Sequence, residues 1–153
     1  MMTVAEIKTD IELITEFLTQ VRDELIEDLD THNRNATGRT KRSIKVVDVT
    51  HTGGKLIGAE HISFTFGGRG PGKLPPISNI IDWCSARGIP RDRAYRIAMK
   101  IKKEGTQLYR LGARNDNALL RATAPDKIEA FKKELELFYL NQVKSDFDFL
   151  INR

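Results

Sequence analysis

Residues 4–29 read VAEIKTDIELITEFLTQVRDELIEDL and form the most strongly periodic part of the sequence. Apolar residues recur in it at spacings of three or four, the repeat of one face of an α-helix. The pattern predicts a long amphipathic helix, with Thr3 as its N-cap and Glu6 completing a capping box. The predicted apolar stripe consists of Val4, Ile7, Ile11, Ile14, Leu18, Val21, Leu25 and Leu29.

This helix would be about 39 Å long, since each helical residue rises 1.5 Å. Two interpretations account for that length, and they are compatible with each other. In the first, the helix is a core helix with a solvated acidic face. In the second, part of the helix packs on a neighbouring chain.

The residues after this helix have the composition of a basic loop followed by strands. The loop spans residues 31–42, and β-branched or alternating segments follow at 43–50, 55–59 and 61–66. The last of these, HISFTF, alternates cleanly, which predicts a shared buried face for its isoleucine and phenylalanines. We therefore expect a small antiparallel β-meander of about three to four strands, covered on one face by helices.

The second half of the chain is predicted to be mainly helical. One helix begins at Pro76 and ends at Gly88, and another begins at Pro90 and ends at Gly105, because proline favours the first helical turn and glycine the residue after the last. Residues 106–122 are expected to form an extended loop, with one helical turn at 118–121. Thr123 is then the expected N-cap of a long C-terminal helix, with Pro125 in its first turn. The apolar face of that helix is predicted to comprise Ile128, Phe131, Leu135, Phe138, Tyr139, Val143, Phe147 and Leu150.

The fold class that follows is α+β, in a single domain over residues 1–153. The lone Cys84 lies on the apolar side of a predicted helix, which favours a core position and indicates synthesis in a reducing cytoplasm. No apolar run reaches the length of a membrane span. The net charge is +4, but residues 1–30 are strongly acidic and residues 31–110 strongly basic. This segregation favours contact between oppositely charged surfaces, with nucleic acid or a second copy as partner.

Residues 66–76, FGGRGPGKLPP, are one residue short of a nucleotide-binding P-loop. Leu74 occupies the position of the hydroxyl residue that binds Mg²⁺ in that motif, and prolines remove amide donors from the loop. We therefore interpret the stretch as a structural turn, with no cofactor. The turn residues are Gly68, Gly70, Pro71, Gly72, Pro75 and Pro76.

Catalytic and metal-ligand patterns are not found in the sequence. The three histidines, His32, His51 and His61, lack paired metal-ligand spacing. Asp146 and Asp148 are two residues apart, so they point to different sides of a helix and do not form a carboxylate pair. The sequence therefore predicts a protein that is not an enzyme.

Basic residues concentrate in the loops and in the helix after Pro90. Clusters of this kind contact phosphates or acidic proteins without reading sequence, although a solvated charged face is the commoner meaning of such a run. The predicted contact residues are Arg39, Lys41, Arg42, Arg69, Lys73, Arg91 and Arg93.

The order of motifs resembles the tail-component family of tailed bacteriophages, which includes head–tail joining and tail-completion proteins. The matching features are a long N-terminal helix, Thr-Gly-x-x-x-x-Ser at 37–43, GRGPGKLPP at 68–76, Ile-Ile-Asp-Trp at 80–83, Arg-Gly-Ile at 87–89 and Lys-Glu-Gly-Thr at 103–106. The resemblance covers roughly residues 4–107. After Thr106 this chain reads QLYRLGAR, where many relatives continue with a Pro-Phe-Leu-Arg-Pro-like segment.

The resemblance implies a structural virion protein without catalytic chemistry. Its copies would form a ring around the DNA channel, as a neck, head–tail connector or tail-completion subunit in the neck or tail region of the virion. Portal, adaptor or tail-tube subunits would be its partners, together with non-specific contact to packaged DNA. The alternative from the residues alone is a sequence-independent nucleic-acid-binding protein.

Overall fold

A long helix, α1 (Asp10–Thr31), is the first element of the computed structural model, which describes residues 8–151. Thr9 caps it: its hydroxyl accepts a hydrogen bond from the Glu12 backbone N–H at 3.2 Å, and the Glu12 carboxylate accepts one from the Thr9 N–H at 2.6 Å. This capping box satisfies the first amides of the helix. The helix therefore starts at Asp10, and the expected helical state of Lys8 and Thr9 is wrong; the predicted cap at Thr3 and Glu6 lies outside the described residues.

The apolar stripe of α1 holds the main core. Val21, Leu25 and Leu29 are buried in one cluster with Phe66 and Ile44. Leu29 and Phe66 have no exposed surface at all. Burying side chains of this size stabilises the fold by roughly 1.5–3 kcal/mol each. Over the described part of the helix the predicted stripe is therefore confirmed as core at Ile14, Val21, Leu25 and Leu29, whereas Ile11 and Leu18 are half-buried and Leu13, outside the stripe, is buried.

A short helix, α2 (Arg39–Ser43), and a β-hairpin follow α1. The hairpin pairs β1 (Lys45–Thr50) with β2 (Gly53–Ile57) in antiparallel register, with Val46 opposite Leu56, and it packs across α1. Within residues 8–151 the sheet has these two strands. The predicted meander of three to four strands is therefore too large, and the predicted basic loop ends in a helix.

The segment expected to be the third strand is a helix, α3 (Ile62–Gly67). Ile62 and Phe66 are four residues apart, so they share one side of a helix as well as one face of a strand. Phe66 is fully buried, whereas Phe64 is 53% exposed. The helix satisfies the backbone locally: the His61 carbonyl accepts hydrogen bonds from Phe64 and Thr65. The alternation of apolar and polar residues in HISFTF predicted a strand, and that prediction is therefore wrong.

The two predicted mid-chain helices are present as α4 (Ile77–Ala86) and α5 (Arg93–Glu104), which pack against each other, although α5 begins three residues after the expected Pro90. Their contact buries Cys84 on α4 and two alanines on α5. Gly88, with φ of 66°, follows the end of α4, and Gly105, with φ of 77°, caps α5. Both glycines have a positive φ, which glycine adopts more readily than residues with a Cβ.

The expected loop at 106–122 contains two short helices, α6 (Gln107–Arg110) and α7 (Ala118–Ala122). Each has its own N-cap, since the Thr106 hydroxyl accepts from Tyr109 N–H and the Asn117 side chain accepts from Leu120 N–H. Thr123 ends α7, with its hydroxyl donating to the Leu119 carbonyl at 2.8 Å. The prediction that Thr123 caps the last helix is therefore wrong.

The last helix, α8 (Pro125–Ile151), has 27 residues and runs antiparallel along α1. Phe131 stacks on Phe17 with ring centroids 4.2 Å apart, and the Lys127 ammonium lies 2.5 Å from a Glu24 carboxylate oxygen. Farther along, the Tyr139 hydroxyl reaches Asp10, the first residue of α1. No residue of α8 is fully buried, so its predicted apolar face is only partly covered.

Asp10 joins three elements at this end of the molecule. Its carboxylate accepts a 2.8 Å hydrogen bond from the Tyr139 hydroxyl and lies 2.9 Å from Nδ1 of His51, at the tip of the hairpin. The hydrogen bonds from His51, first, and from Tyr139 lower the pKa of Asp10 below its usual value. The same contact with Asp10 raises the pKa of Tyr139. The cluster therefore fastens α8 to α1 with a charge-assisted bond.

We expect Tyr139→Phe to lower the free energy of unfolding most between the ordinary pKa values of aspartate and tyrosine. Asp10 has a depressed pKa in the folded state. Its contribution to the free energy of unfolding is therefore fully present above the ordinary aspartate pKa and is lost as the pH falls through the lower pKa of the folded state. Tyr139 has a raised pKa, so its contribution is lost as the pH rises through that value. Urea unfolding of wild type and variant across pH measures the difference. Tyr95→Phe, at an exposed tyrosine of α5, is the control, and a difference that does not vary with pH contradicts this account.

Candidate interaction surface

The glycine-proline stretch between α3 and α4 is fastened to the end of α5. The Gly72 N–H donates to the Lys102 carbonyl at 2.8 Å. Arg69 and Thr106 bond to each other twice, through Arg69 N–H to the threonine hydroxyl at 2.9 Å and through Thr106 N–H to the Arg69 carbonyl at 2.8 Å. These bonds fix where α4 begins.

Particular residues of this turn account for its shape. Gly68 has φ of 76° and Gly72 has φ of 137°, conformations that side chains with a Cβ rarely adopt. A Cβ on Gly68 would also collide with the backbone nitrogen of Tyr109. Pro75 is buried, and Pro76 stands at the N-cap of α4. Gly70 lies under the Tyr109 ring, and Pro71 is exposed at the tip.

The two basic residues of the turn differ in their surroundings. Arg69 is half-buried, and its guanidinium donates to the Lys73 carbonyl at 3.0 Å, which closes the turn on itself. The Lys73 side chain is exposed, and within residues 8–151 it forms no ion pair. Of these two predicted contact residues, Lys73 is therefore the more accessible one.

The basic residues of α2 are largely engaged within the chain. Arg39 lies 3.3 Å from an Asp82 carboxylate oxygen, and Lys41 lies 2.6 Å from Asp30. The Arg42 guanidinium donates to the Thr37 carbonyl at 3.3 Å. Both ion pairs are exposed, so they are weak and open to competition from another acidic group.

The structure brings Arg39 and Arg69 together in one groove of about 320 Å³ between α2, α3 and α4. We call this the arginine groove. Arg34 also lines it and is held by Asp28 at 3.2 Å. Asp82 is the single acidic residue among its lining residues. The groove therefore has a net positive charge.

Aromatic side chains give the arginine groove its apolar part. Phe64 is 53% exposed and Trp83 36% exposed, and both line it. Arg87 stacks over the Trp83 ring at 5.1 Å from the ring centroid. The sequence did not point to this groove, because Phe64 was expected to be buried in a strand. Asn35 also lines the groove, and its Oδ1 is buried and accepts no hydrogen bond in the described part of the chain.

Arg91 and Arg93 lie away from the groove, at the start of α5. They begin an exposed basic face that none of the acidic residues in the described chain neutralises through an ion pair. This α5 basic face comprises Arg93, Arg96, Lys100 and Lys103, which share one side of the helix, while Arg91 lies just before the helix and Lys102 on its opposite side.

The end of α8 extends beyond α1. Residues 140–151, which we call the distal segment, are exposed at every position. Half of them are large apolar residues with half or more of their surface exposed: Leu140, Val143, Phe147, Phe149, Leu150 and Ile151. Such concentration on one helix exceeds the scattered apolar exposure of ordinary monomers and marks an interaction surface.

The total exposed area leads to the same conclusion. The chain exposes 11223 Å². A compact monomer of its mass, 17.4 kDa, exposes roughly 7,900 Å². The excess is larger than the roughly 800 Å² that one partner contributes to a stable protein interface. The chain therefore exposes more surface than a compact monomer of this mass.

Residues 8–151 contain no group of three or more histidine, cysteine, aspartate or glutamate side chains placed to hold a metal ion. In the same range, no helix combines the length and the apolar character needed to cross a membrane.

Comparison with known proteins gives no family. No protein-family model matches the chain, and searches of curated proteins and of solved structures find no match. The resemblance to the phage tail-component family therefore rests on the sequence motifs and stays a prediction.

We expect Gly68→Ala to lower the free energy of unfolding by about 1–2 kcal/mol or more, because the left-handed conformation penalises a Cβ and the Tyr109 backbone leaves no room for one. Gly67→Ala is the matched control. It lies in α3, where the nearest atom to a new Cβ is 3.6 Å away, an ordinary contact. Urea unfolding compares the two variants, and equal stabilities would show that the turn does not have this geometry.

Proposed function

We propose that the chain is a structural virion protein of a tailed bacteriophage, a ring-forming neck, head–tail connector or tail-completion subunit around the DNA channel. The observation that carries the assembly part of this proposal is the exposed apolar distal segment of α8. The phage part rests on the motif order at residues 37–106, with GRGPGKLPP at its centre.

Assembly into a ring requires two different complementary surfaces on each subunit. The chain offers surfaces of distinct character: the apolar distal segment, the arginine groove and the α5 basic face. The excess exposed area accommodates two interfaces of standard size on one subunit. A role of this kind needs no catalytic residue and no cofactor.

The α5 basic face suits a partner that carries negative charge. Four cations lie on it, and none of them forms an ion pair with the rest of the described chain. In the proposed ring, this face meets packaged DNA or an acidic surface of a portal, adaptor or tail-tube subunit. Either partner would be attracted over a distance of about 8–10 Å at physiological salt.

The same basic face favours a second candidate, a monomeric or dimeric protein that binds nucleic acid without sequence preference. In that case the affinity would come from phosphate contacts and would fall steeply with salt. The distal segment would then have no part in binding, which makes this candidate the weaker account of the whole molecule.

We expect the purified chain to form a discrete oligomer at moderate salt, with a mass that is an integral multiple of 17.4 kDa. Size-exclusion chromatography with light scattering measures the mass, and negative-stain images show whether the particle is a ring. The mass of one chain at every accessible concentration contradicts the proposed ring. Portal or tail-tube genes beside its gene would support the phage assignment independently.

Binding to random-sequence duplex DNA tests the second candidate, which requires it, whereas the ring is compatible with either result. If the α5 basic face binds DNA phosphates, the double variant Arg93→Gln, Lys100→Gln will reduce the salt slope of log K by about 2, one per lost contact. Lys133→Gln, at an exposed lysine of α8, should leave the slope unchanged. Equal slopes for wild type and double variant would show that α5 does not bind DNA.

A further inference from the structure

Helices α4 and α5 pack against each other through small side chains. Cys84 of α4 and the two alanines of α5, Ala94 and Ala98, are buried, and α4 is the element that α5 contacts most. Small side chains at a helix contact allow the two axes to approach closely. The remaining sides of α5 are therefore left open to solvent.

The connection between α4 and α5 is a tight turn. The N–H groups of Arg93 and Ala94 donate to carbonyls three residues earlier, at 3.1 and 3.0 Å. Residues 90–92 thus form a turn that leads directly into α5, and three residues, 87–89, remain between the two helices. Gly88 lies in this connection with φ of 66°. Two packed helices joined by a glycine-containing turn of three or four residues are the arrangement of a helix-turn-helix unit.

The solvent side of α5 carries cations along both of its edges. At 100° per residue, Lys100 and Lys102 lie roughly 160° apart around the helix, and Arg93 shares the edge of Lys100. Arg96 and Met99 lie between the two edges, on the side away from α4. All five of these side chains are exposed. The helix therefore presents positive charge on both flanks, with an arginine between them.

The cations of α5 have no counterion in residues 8–151. None of its five basic side chains forms an ion pair within that range. Of the two acids at the ends of the helix, Glu104 is held by Arg110 at 3.3 Å, and Asp92 precedes the first helical residue. The five basic side chains are Arg93, Arg96, Lys100, Lys102 and Lys103. A partner with negative charge can therefore contact them without breaking an internal ion pair.

The glycine-proline turn supplies a further cation near the Lys102 edge. The Gly72 N–H donates to the Lys102 carbonyl at 2.8 Å, which holds the turn against the C-terminal part of α5. Lys73, the next residue of the turn, is exposed and forms no ion pair within residues 8–151. The edge of α5 opposite to the α5 basic face is therefore also positively charged.

We propose that α4 and α5 form a helix-turn-helix unit that places α5 in the major groove of duplex DNA. Lys100 and Lys102 then contact phosphates of the two strands that border the groove, and Arg96 reaches the base edges at its floor. This inference rests on the DNA contact of the α5 basic face in the proposed function, and it describes how that contact is made.

The dimensions of α5 suit the major groove. A helix has a diameter of about 10–12 Å and the groove is about 12 Å wide. The 12 residues of α5 extend over about 18 Å. Because phosphates border the groove on both sides, a helix that enters it needs cations on both flanks, as α5 has. A helix that only lay along one strand would need them on one flank.

Arg96 is the residue of α5 that is placed to contact bases. Arginine donates two hydrogen bonds to O6 and N7 of guanine, which is the commonest specific contact in the major groove. The contacts of the lysines to phosphates carry no sequence information. We therefore expect duplex DNA of any sequence to bind, with a preference for guanine under Arg96.

The first test removes the guanine atom that Arg96 contacts. Two duplexes of one sequence are compared, the second with 7-deazaguanine in place of guanine, which lacks the N7 acceptor and keeps every phosphate. Fluorescence anisotropy with the full chain measures Kd at fixed salt. The wild type should bind the modified duplex at least about fivefold more weakly, and Arg96→Gln should bind both duplexes equally.

Lys100→Gln is the matched control on the same helix. It removes a phosphate contact, so it should weaken binding to both duplexes by the same factor and keep the preference of the wild type. Arg96 and Lys100 are both exposed, and circular dichroism checks that both variants are folded. A wild type that does not distinguish the duplexes, or an Arg96→Gln variant that still does, shows that the inference is wrong.

The second test identifies the groove directly. Dimethyl sulfate methylates N7 of guanine in the major groove and N3 of adenine in the minor groove. A saturating amount of the chain should protect guanine N7 in a short duplex and leave the reaction at adenine N3 unchanged. Protection of adenine N3 alone would place the chain in the minor groove and overturn the proposal.

The outcomes separate this inference from the proposed function. If the chain binds duplex DNA but guanine N7 affects neither affinity nor protection, the DNA contact stands and the entry of α5 into the groove is wrong. If the chain binds no duplex DNA at low salt, both the inference and the DNA contact are wrong. The proposed ring is unaffected by that result, since the mass of the oligomer tests it.

Discussion

The burial of one stripe of α1 is the constraint on which the rest of the structure depends. Val21, Leu25 and Leu29 lie at the centre of the main buried cluster, and the hairpin, α7 and the first half of α8 all contact the same helix. A single helix offers limited area, so elements that do not reach it remain poorly covered. The pair of α4 and α5 and the distal segment are such elements, and their exposed surfaces follow from this geometry.

Much of the charge that is segregated along the sequence is paired within the chain. The acidic residues of α1 pair with basic residues from later elements: Asp28 with Arg34, Asp30 with Lys41 and Glu24 with Lys127. The acidic side chains of α1 thus form ion pairs within the molecule, although the acidity of the helix alone was equally consistent with a contact between molecules. The excess positive charge remains on α5, where α1 does not reach. The cations that form no ion pair within the chain are a better guide to its partners than the net charge of the whole chain is.

The long helices were predictable because apolar residues that recur every 3.6 residues are easily recognised in a sequence. The start of α1 was also readable, since Thr9 and Glu12 have the spacing of a capping box, but an equal pattern at Thr3 competed with it. HISFTF was not predictable from periodicity, because Ile62 and Phe66 share a side in both helix and strand. The arginine groove was least predictable, since distant segments build it and no local pattern marks their convergence.

The exposed end of α8 bears on the proposed assembly. An isolated helix of a dozen residues is only marginally stable in water. None of the residues of the distal segment is buried. Its six large apolar side chains, moreover, are costly to leave in water, at about 25 cal/mol for each Å² exposed. A partner that covers them would stabilise the helix and remove the apolar exposure in one step. Because Tyr139 and Asp10 fix the base of this projection, the chain presents it in a defined direction, which lowers the entropy lost on docking.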